Sequence, residues 1–394
     1  MRFPEFKDDW NDYHLRDLCT FHSGGTPSID NVEYWEGEIP FVSAVAMHNT
    51  HIEKTPLTLT EKGLRDGSKQ LEAGNLLLLV RGSMLWNKIP ICYNDVDVAF
   101  NQDVKGIVPN SKTTSLFLLN WIQSHENRIK YMVTGTGIGA GKLDSEDLLA
   151  LNVKLPSLIE QKKIEKFLSL IDERIETQIR IIDKLKSLMK GLNDYLQDFV
   201  PLSYSLSFSD IGEDYSGLSG KSAEDFGSGK PYITYVSIYA NNFVEDDCCG
   251  KVSVKRNEKQ NVVQKGDMLF TLSSETPEEV CYGAVYSGNS TETYLNSFCF
   301  GIRNTEGKVF SPYMGYFFNS NRFRREVYPL AQGSTRFNLQ KSDFLQKHFS
   351  YPSIDDQHRI FEILNAYDNK LKVENQILVH YQHQKEFLLR NLFI

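Results

Sequence analysis

Two glycine-containing stretches of this chain have the residue types of a phosphate-binding loop. Gly220-Lys221-Ser222 matches the end of such a loop, but the position five residues earlier, where the motif needs glycine, is Tyr215. Without that glycine the backbone cradle for a phosphate is not predicted. The stretch from Gly135 to Gly141 departs from G-x-G-x-x-G at its last glycine, so we interpret it as an ordinary loop.

Histidine spacing gives no better case for catalysis. His48 and His51 are three positions apart, as are His380 and His383. A zinc-protease helix needs histidines at i and i+4 with a glutamate between them. No Asn-Pro-Pro-Tyr or Asp-Pro-Pro-Tyr tetrapeptide of an adenine methyltransferase occurs, and no nuclease cluster of carboxylates and lysine is found. The sequence therefore predicts no catalytic residue, no bound metal and no enzyme activity for this chain by itself.

Nucleic-acid contact is the remaining chemistry that the side chains suggest. Cations hold phosphates, while amide, hydroxyl and guanidinium groups read base edges. Such groups recur on predicted loops in both halves of the chain, although an ordinary solvated surface is the competing interpretation for each one alone. The candidate DNA-binding residues are Lys69, Arg81, Ser83, Asn87, Lys88, Lys221, Ser222, Asn241, Asn242, Lys255, Arg256, Ser334 and Arg336.

The elements that must position these residues occur twice. Leu155-Pro156-Ser157 precedes Glu160-Gln161, and 196 positions later Tyr351-Pro352-Ser353 precedes Asp356-Gln357. Other landmarks repeat as well, since Gly74 corresponds to Gly266 before a predicted strand. Between the landmarks the two sequences diverge freely. One scaffold with different loops suggests the same task performed on two targets.

Each copy ends in an apolar heptad pattern of the kind that lines a coiled coil. Ser157 and Ser353, each with an acid three residues later, resemble capping boxes and predict where the two helices begin. A helix of about 40 residues is about 60 Å long. We expect the helices to pair antiparallel, with two helices on unrelated surfaces as the alternative. The residues predicted to line the seam are Leu168, Ile171, Ile175, Ile182, Leu185, Met189, Leu192, Leu364, Tyr367, Leu371, Leu378, Tyr381 and Leu388.

Three residues interrupt the apolar seam. Lys385 is the one break in its row, and Gln178 and Glu374 occupy the same heptad site in the two copies. A buried polar pair can fix the register of a coiled coil at some cost in stability. Solvation where the helices separate is the alternative for these two residues.

The segments before the helices favour short strands, because they are rich in glycine, aromatic and β-branched residues. The predicted strands are 39–45, 76–81, 105–108, 231–237, 268–272 and 297–302, and the predicted helices are 115–132 and 312–328. The fold class is thus α+β, with two globular domains alternating with two long helices in an internal pseudo-twofold repeat. The expected boundaries are 1–155 and 201–350 for the domains, and 156–200 and 351–394 for the helices.

Composition limits the functional classes. The net charge of −8 argues against a protein that coats nucleic acid through many Lys and Arg contacts. The six cysteines have no C-x-x-C spacing, and neither an 18-residue apolar run nor a signal-type amino terminus is present. We therefore expect a cytoplasmic protein of 394 residues with reduced thiols.

The whole pattern resembles the specificity subunit of a type I restriction-modification enzyme. The likeness covers essentially the full chain, from the opening Arg2-Phe3-Pro4-Glu5-Phe6 through both domain-and-helix cycles. It includes the stretches Tyr215-Ser216-Gly217-Leu218-Ser219-Gly220-Lys221-Ser222 and Gly333-Ser334-Thr335-Arg336-Phe337-Asn338-Leu339. The first half has Ile138-Gly139-Ala140 where the second has Ser334-Thr335-Arg336, so a DNA role for Arg336 does not transfer between the copies.

The resemblance implies two target recognition domains, each reading one half of a bipartite asymmetric site in double-stranded DNA. The paired helices would act as a spacer and dock two methyltransferase subunits, which bind S-adenosylmethionine and methylate adenine N6. Motor-nuclease subunits using ATP and Mg²⁺ would complete the complex. The chain itself would hold no cofactor and would not contact a membrane.

Three other interpretations stay open at the level of sequence. A self-sufficient nuclease or methyltransferase would be active without partners. A duplicated coiled-coil scaffold that binds only proteins would give no sequence-selective effect on DNA. A related subunit could serve a modification system without a type I motor.

Overall fold

The computed structural model describes residues 1–136, 139–255 and 257–393, which form two compact units. The first unit combines residues 1–179 with 377–394, and the second unit is residues 180–376. Each unit therefore contains a domain, the N-terminal part of one long helix and the C-terminal part of the other. This is the composition that an antiparallel helix pair produces.

The elements are numbered in chain order. The strands before the first long helix are β1 (Asn11–His14), β2 (Cys19–Ser23), β3 (Trp35–Val42), β4 (His51–Ile52), β5 (Leu57–Leu59), β6 (Gln70–Leu71), β7 (Leu76–Leu79), β8 (Arg81–Gly82), β9 (Ile91–Asn94), β10 (Val98–Phe100), β11 (Val104–Pro109), β12 (Thr134–Gly135), β13 (Gly141–Lys142) and β14 (Asn152–Leu155). The helices up to that point are α1 (Glu61–Gly67), α2 (Ser115–Ser124), α3 (Glu126–Lys130), α4 (Ser145–Leu149) and the long α5 (Leu158–Phe199).

The second half of the chain follows the same plan. Its strands are β15 (Leu202–Ser207), β16 (Glu213–Ser216), β17 (Phe226–Ile233), β18 (Phe243–Val244), β19 (Cys249–Val252), β20 (Met268–Thr271), β21 (Ser273–Ser274), β22 (Gly283–Tyr286), β23 (Tyr294–Leu295), β24 (Cys299–Arg303), β25 (Ala331–Gln332), β26 (Phe337–Leu339) and β27 (His348–Pro352). Its helices are α6 (Phe208–Ile211), α7 (Tyr235–Ala240), α8 (Ser311–Phe317), α9 (Asn321–Val327), α10 (Lys341–Gln346) and the long α11 (Ile354–Leu392).

Sheet topology repeats between the two domains. The central sheets have the orders β2-β11-β7-β9-β4 and β16-β24-β20-β22-β18, and a small sheet has the orders β12-β13-β8 and β25-β26-β21. The pairs β1-β14 and β15-β27 also correspond, as do the parallel pairs β4-β9 and β18-β22. The duplication predicted from the sequence is thus present in the connectivity, and the predicted α+β fold class is confirmed.

The turn that leads into each central strand explains one of the repeated glycines. Gly74 has φ +87° and Gly266 has φ +89°, a left-handed conformation that a side chain rarely adopts. Their amides donate equivalent hydrogen bonds of 2.8 Å to the carbonyls of Asn94 and Tyr286. Glycine is therefore needed at the same point of both domains.

The central strands are buried on both faces. Every residue of β7 and of β20 is buried. In the second domain Met268 and Phe270 face the core beneath α8, while Leu269 packs with Ile233 and Leu295 on the opposite face. Alternate side chains of a strand point to opposite faces, so a continuous apolar run predicts such a doubly covered strand.

Two predicted strands extend too far. Strand 39–45 ends at Val42, before a 3-10 helix at Ala44–Ala46, and strand 231–237 ends at Ile233, before α7. In the second case the Thr234 hydroxyl accepts a 3.0 Å hydrogen bond from the Ser237 amide and caps the helix. The predicted helices 115–132 and 312–328 are each two helices, α2 with α3 and α8 with α9.

The long helices begin after the two predicted serine caps. Ser157 Oγ accepts from the Glu160 amide at 3.3 Å, and Ser353 Oγ accepts from the Asp356 amide at 3.2 Å. In the predicted capping box the Glu160 side chain would accept from the Ser157 amide. Instead, the Glu160 carboxylate accepts two 2.8 Å hydrogen bonds from the Arg2 guanidinium.

A buried glutamine attaches each long helix to its own domain. Gln161 Nε2 donates to the carbonyls of Lys112 and Pro156, at 3.0 and 2.9 Å. Its counterpart Gln357 donates to the Pro352 carbonyl at 3.0 Å. Both glutamines are fully buried, so their repetition in the sequence reflects a shared structural role.

All residues predicted for the helix seam are removed at least partly from solvent. Leu168, Ile171, Ile182, Leu364 and Leu388 are buried, and the half-buried ones are Ile175, Leu185, Met189, Leu192, Tyr367, Leu371, Leu378 and Tyr381. Gln178 is also buried and Glu374 is half-buried. Within the residues described, no helix has the length and apolar character needed to cross a membrane.

The end of α11 completes the core of the first unit. Leu388, Leu389 and Leu392 are buried together with Leu168 and Ile171 of α5. Phe393 packs its ring 5.2 Å from that of Phe117. In the same unit Lys385, the residue that breaks the apolar row, places its ammonium 2.6 Å from the carboxylate of Asp172.

Candidate nucleic-acid interface

The small three-stranded sheet of each domain carries the strongest DNA-binding candidates. In the first domain β8 pairs with β13, so that Arg81 lies opposite Lys142 and Gly82 opposite Gly141. In the second domain β21 pairs with β26, which sets Ser273 opposite Asn338. The predicted residues Arg81 and Ser83 are therefore on or beside β8, and Ser334 and Arg336 lie between β25 and β26 of the equivalent sheet in the other domain.

In the first domain this surface is polar and open to solvent. Arg81, Ser83 and Asn87 are exposed and Lys88 is half-buried; the first two are in β8 and the 3-10 helix Ser83–Trp86, and the other two directly follow that helix. Trp86 leaves 47% of its surface exposed and donates from its indole to the Gly139 carbonyl at 3.0 Å. The segment thus offers a guanidinium, an amide and an aromatic face, the groups that contact phosphates and bases.

In the second domain the corresponding surface borders a cleft of about 770 Å³. Arg336 donates to the Ser273 hydroxyl at 3.3 Å and lies 5.6 Å from the centre of the Phe298 ring, which is 56% exposed. A cation placed over an aromatic ring is held without losing its charge. The residues that line the cleft are Tyr235, Val236, Tyr239, Ser273, Ser274, Glu275, Glu279, Asn296, Phe298, Thr335 and Arg336.

Each domain has an arginine on or beside the same strand position of the small sheet. Matching strand registers put Ser273 at the position of Arg81, and Ala140 at the position of Arg336. Because Arg336 donates to the Ser273 hydroxyl, its guanidinium lies beside the strand position that Arg81 holds in the first domain. The first domain thus has an arginine on this strand position, and the second has one in contact with it.

A half-buried arginine, Arg324, fixes the loop on one side of the cleft. Arg324 donates to the carbonyls of Glu278, Val280 and Cys281 at 2.5, 2.7 and 2.8 Å, with its guanidinium 4.6 Å from the centre of the Tyr282 ring. Burial lowers the pKa of Arg324 from its ordinary value. The loop therefore presents its side chains from a fixed backbone.

Other predicted DNA-binding residues lie elsewhere. Lys69 is exposed between α1 and β6, and Lys255 is exposed after β19. Asn241 and Asn242 are half-buried and line a separate cavity of about 790 Å³ together with Lys186 and other residues of the second unit. Among the described contacts none joins these residues to the small sheets.

Two further candidates are engaged within their own domain, and one cannot be placed. Lys221 has a side chain only 4% exposed and lies 2.5 Å from the Glu258 carboxylate. Ser222 donates from its amide and hydroxyl to Asp225, at 2.9 and 3.1 Å. Arg256 lies outside the described residues, as do Gly137 and Ile138 of the glycine-rich stretch.

Sequence reasoning missed the aromatic and acidic members of the cleft. Tyr239 donates to Glu279 at 2.7 Å, and this hydrogen bond lowers the pKa of Glu279 and raises the pKa of Tyr239 to about 12. Exposed aromatic residues such as Trp86 and Phe298 are the signal that could have indicated this surface. Within the described parts of the chain, no group of three or more metal-binding side chains is assembled.

Comparison with known proteins places the chain in a family. The family model for the type I restriction modification DNA specificity domain matches residues 7–187 and again 209–380. The EcoR124I/EcoR124II type I restriction enzyme specificity subunit of Escherichia coli is 28% identical over 174 residues, 44% of this chain and 43% of that protein. That alignment spans less than half of either protein.

A second relative and two solved structures align along nearly the whole chain. The MjaVIII type I restriction enzyme specificity subunit of Methanocaldococcus jannaschii is 23% identical over 95% of this chain and 89% of that protein. A type I restriction-modification S subunit from M. genitalium has a TM-score of 0.53 at 15% identity, with coverage of 100% and 99%. A structure from a study of type I R-M complex assembly has a TM-score of 0.62 at 14% identity, with coverage of 99% and 98%. Since the family model covers both repeats, this chain belongs to the type I restriction-modification DNA specificity family and carries one specificity domain in each repeat.

Proposed function

We propose that each domain of this protein reads one half of a bipartite, asymmetric site in double-stranded DNA. The observation that carries the proposal is the repeated small sheet with an arginine at the same strand position: Arg81 is on it in one domain, and Arg336 contacts it in the other. A shared anchor suits the uniform phosphate backbone, whereas the loops that differ around it suit different bases. Two domains with one scaffold and different loops can therefore read two different half-sites.

The long helices serve as the spacer between the half-sites and as docking surfaces for two methyltransferase subunits. Helices of 42 and 39 residues are about 63 and 58 Å long at 1.5 Å per residue. A chain that presents the same elements twice can bind two copies of a partner in equivalent ways. The heptad seam and the repeated helix starts support this part of the proposal.

The catalytic chemistry belongs to the partners. The methyltransferase subunits would bind S-adenosylmethionine and methylate adenine N6, and motor-nuclease subunits would use ATP and Mg²⁺ for translocation and cleavage. The net charge of −8 agrees with sharing the DNA contacts among subunits, since affinity for the phosphate backbone rests on cations. This chain contributes recognition and assembly, in a system that protects a cell against phage DNA.

Methylation mapping tests the proposal. The chain is expressed with a type I methyltransferase subunit from the same genome, and N6-methyladenine is mapped by long-read sequencing. We expect a bipartite motif with a fixed gap, and no motif when the methyltransferase is expressed alone. A stable complex that methylates no defined motif would favour the protein-binding scaffold instead.

A further inference from the structure

The cleft beside Arg336 contains a carboxylate held in a fixed position. Glu279 accepts from the Tyr239 hydroxyl at 2.7 Å through Oε1 and from the Ser274 hydroxyl at 3.2 Å through Oε2. The Thr276 side chain also hydrogen-bonds to this carboxylate, and since an ionised carboxylate has about four acceptor positions, about one remains for an incoming donor. The side chain is therefore oriented before any ligand arrives, which reduces the entropy lost on binding.

The backbone that carries Glu279 is fixed as well. Arg324 binds the carbonyls of Glu278, Val280 and Cys281, on both sides of Glu279 in the sequence. A reader of base edges has to be held to within a fraction of an ångström, and such supporting contacts provide that accuracy. Three donors from one guanidinium are more than a freely moving surface loop would have.

The repeat gives an internal comparison for this position. The segment between β7 and β9 is as long as the segment between β20 and β22, so Glu279 has the same sequence position in its loop as Asn87. An amide both donates and accepts hydrogen bonds, whereas an ionised carboxylate only accepts them. The two domains therefore present different hydrogen-bonding groups at one equivalent point.

The chemistry of DNA restricts what a carboxylate can do there. Phosphates repel it, and the keto and ring-nitrogen groups of the bases are acceptors like itself. The donors exposed in the major groove are the amino groups of cytosine N4 and adenine N6. Among the base edges of the major groove, these amino groups are therefore the only ones that can donate a hydrogen bond to the Glu279 carboxylate.

We propose that Glu279 is a specificity-determining residue that accepts a hydrogen bond from an exocyclic amino group, of cytosine or adenine, in the half-site read by the second domain. Tyr239 and Ser274 orient the carboxylate, and Arg336 neutralises the phosphate nearby. The proposal rests on the proposed function, because it assigns a base contact to a domain that reads DNA.

Base discrimination by the methyltransferase complex tests this assignment. Glu279→Gln keeps the shape of the side chain and makes it a donor as well as an acceptor. Glu278→Gln is the matched control, since Glu278 is exposed on the same loop, changes the net charge equally and lies outside the described lining of the cleft. Methylation rates are measured on duplexes in which each base pair of the motif is replaced in turn, and melting temperatures establish that the variants are folded.

We expect the wild-type complex to favour cytosine or adenine at one position of a single half-site by roughly tenfold or more. Glu279→Gln should reduce that preference to about threefold or less and leave the other half-site and the gap unchanged. The wild-type base at the affected position then distinguishes cytosine from adenine. Glu278→Gln should keep the wild-type preference.

Unchanged base preferences in Glu279→Gln would overturn the assignment, whether methylation stays at the wild-type rate or falls equally on every duplex. An equal fall would mean that Glu279 only supports the fold of the cleft. Failure of the proposed function gives a different result, since the wild-type complex would then have no bipartite motif to alter.

Discussion

At the scale of single residues, Arg81 and Arg336 show that two diverging copies can keep an arginine in the small sheet at different sequence positions. When the two repeats are aligned by their strand registers, Ser273 corresponds to Arg81 and Ala140 corresponds to Arg336. An arginine is nevertheless present at this part of both sheets, because Arg336, which directly precedes β26, donates to Ser273. Both small sheets thus carry an arginine, although Arg81 and Arg336 do not correspond in the aligned repeats.

We expect Arg81→Ala and Arg336→Ala each to weaken binding of the target duplex by about 1–3 kcal/mol in the complex with methyltransferase. Loss of one phosphate contact should also reduce the slope of log K against log salt by about 1. Affinities measured at several salt concentrations check both effects. Arg325→Ala is the control, since its side chain is 70% exposed and pairs with Asp198. Equal affinities for all three variants would contradict the assignment.

Glu165 gives a pH-dependent prediction at the same scale. Burial raises the pKa of its carboxyl from 4.5 to about 7, and the carboxylate accepts a hydrogen bond from Thr114. The folded state thus holds the proton more tightly than the unfolded chain. The stability due to this proton is complete below about pH 4.5 and is lost as the pH rises towards 7.

Glu165→Gln should therefore stabilise the protein more at pH 8 than at pH 5, by roughly 1 kcal/mol after allowance for partial exposure. Urea unfolding at the two pH values measures the difference. Glu176→Gln, an exposed residue of the same helix, should change stability equally at both pH values. If the two variants respond alike, the burial of Glu165 has no such effect.

At the scale of elements, regular patterns were predicted better than boundaries. Heptad spacing predicted both long helices because the period persists over many turns, and apolar runs predicted β7 and β20. The ends of β3 and β17 were wrong at equivalent points in both copies. In the second copy β-branched and aromatic residues indicated a strand, but the cap formed by Thr234 started a helix at Tyr235.

The candidate site was only partly predictable, for a physical reason. Arg336 and Ser273 are 63 positions apart, and only the tertiary pairing of β21 with β26 brings them together. Glu279 was not predicted, because an acid in an acidic chain carries no local signal and its partner Tyr239 is 40 positions away. Lys221 looked like a solvated cation but is paired with Glu258.

The ion pair in the helix seam can be tested as a unit. Lys385→Met alone leaves the carboxylate of Asp172 beside an apolar seam, and we expect a loss of about 1 kcal/mol. The double variant Asp172→Leu/Lys385→Met should be at least as stable as the wild type, because well-packed apolar residues often replace such a pair without cost. Denaturant unfolding of both single variants and the double variant gives the coupling energy. Additive losses would show that the pair is not coupled.

Helix length provides the second prediction for the elements. Deletion of residues 175–181 from α5 and 371–377 from α11 removes one heptad from each helix and keeps the seam in register. Seven residues correspond to about 10.5 Å, or about 3 base pairs of B-DNA. We expect the methylated motif to keep both half-sites with a gap shorter by that amount. Methylation retained only at the original gap would refute the spacer role.

At the scale of the whole molecule, duplication predicts independence of the two reading surfaces. Arg81 and Arg336 belong to different compact units. The double variant Arg81→Ala/Arg336→Ala should therefore lose the sum of the two single losses, within about 0.5 kcal/mol. Duplex binding measured under one salt condition for all four proteins checks this. A smaller combined loss would mean that both arginines serve one shared contact.

The division of the chain also sets an order for its synthesis. Residues 180–376 are continuous in sequence, so the ribosome synthesises the whole second unit as one uninterrupted segment. The first unit begins earlier but lacks Leu388, Leu389 and Leu392 of its core until the segment that follows the second unit has been made. A nascent chain therefore exposes the apolar faces of Leu168 and Ile171 throughout translation of the second domain. A stop codon introduced between residues 376 and 388 would therefore remove part of the core of the first unit and leave the second unit whole.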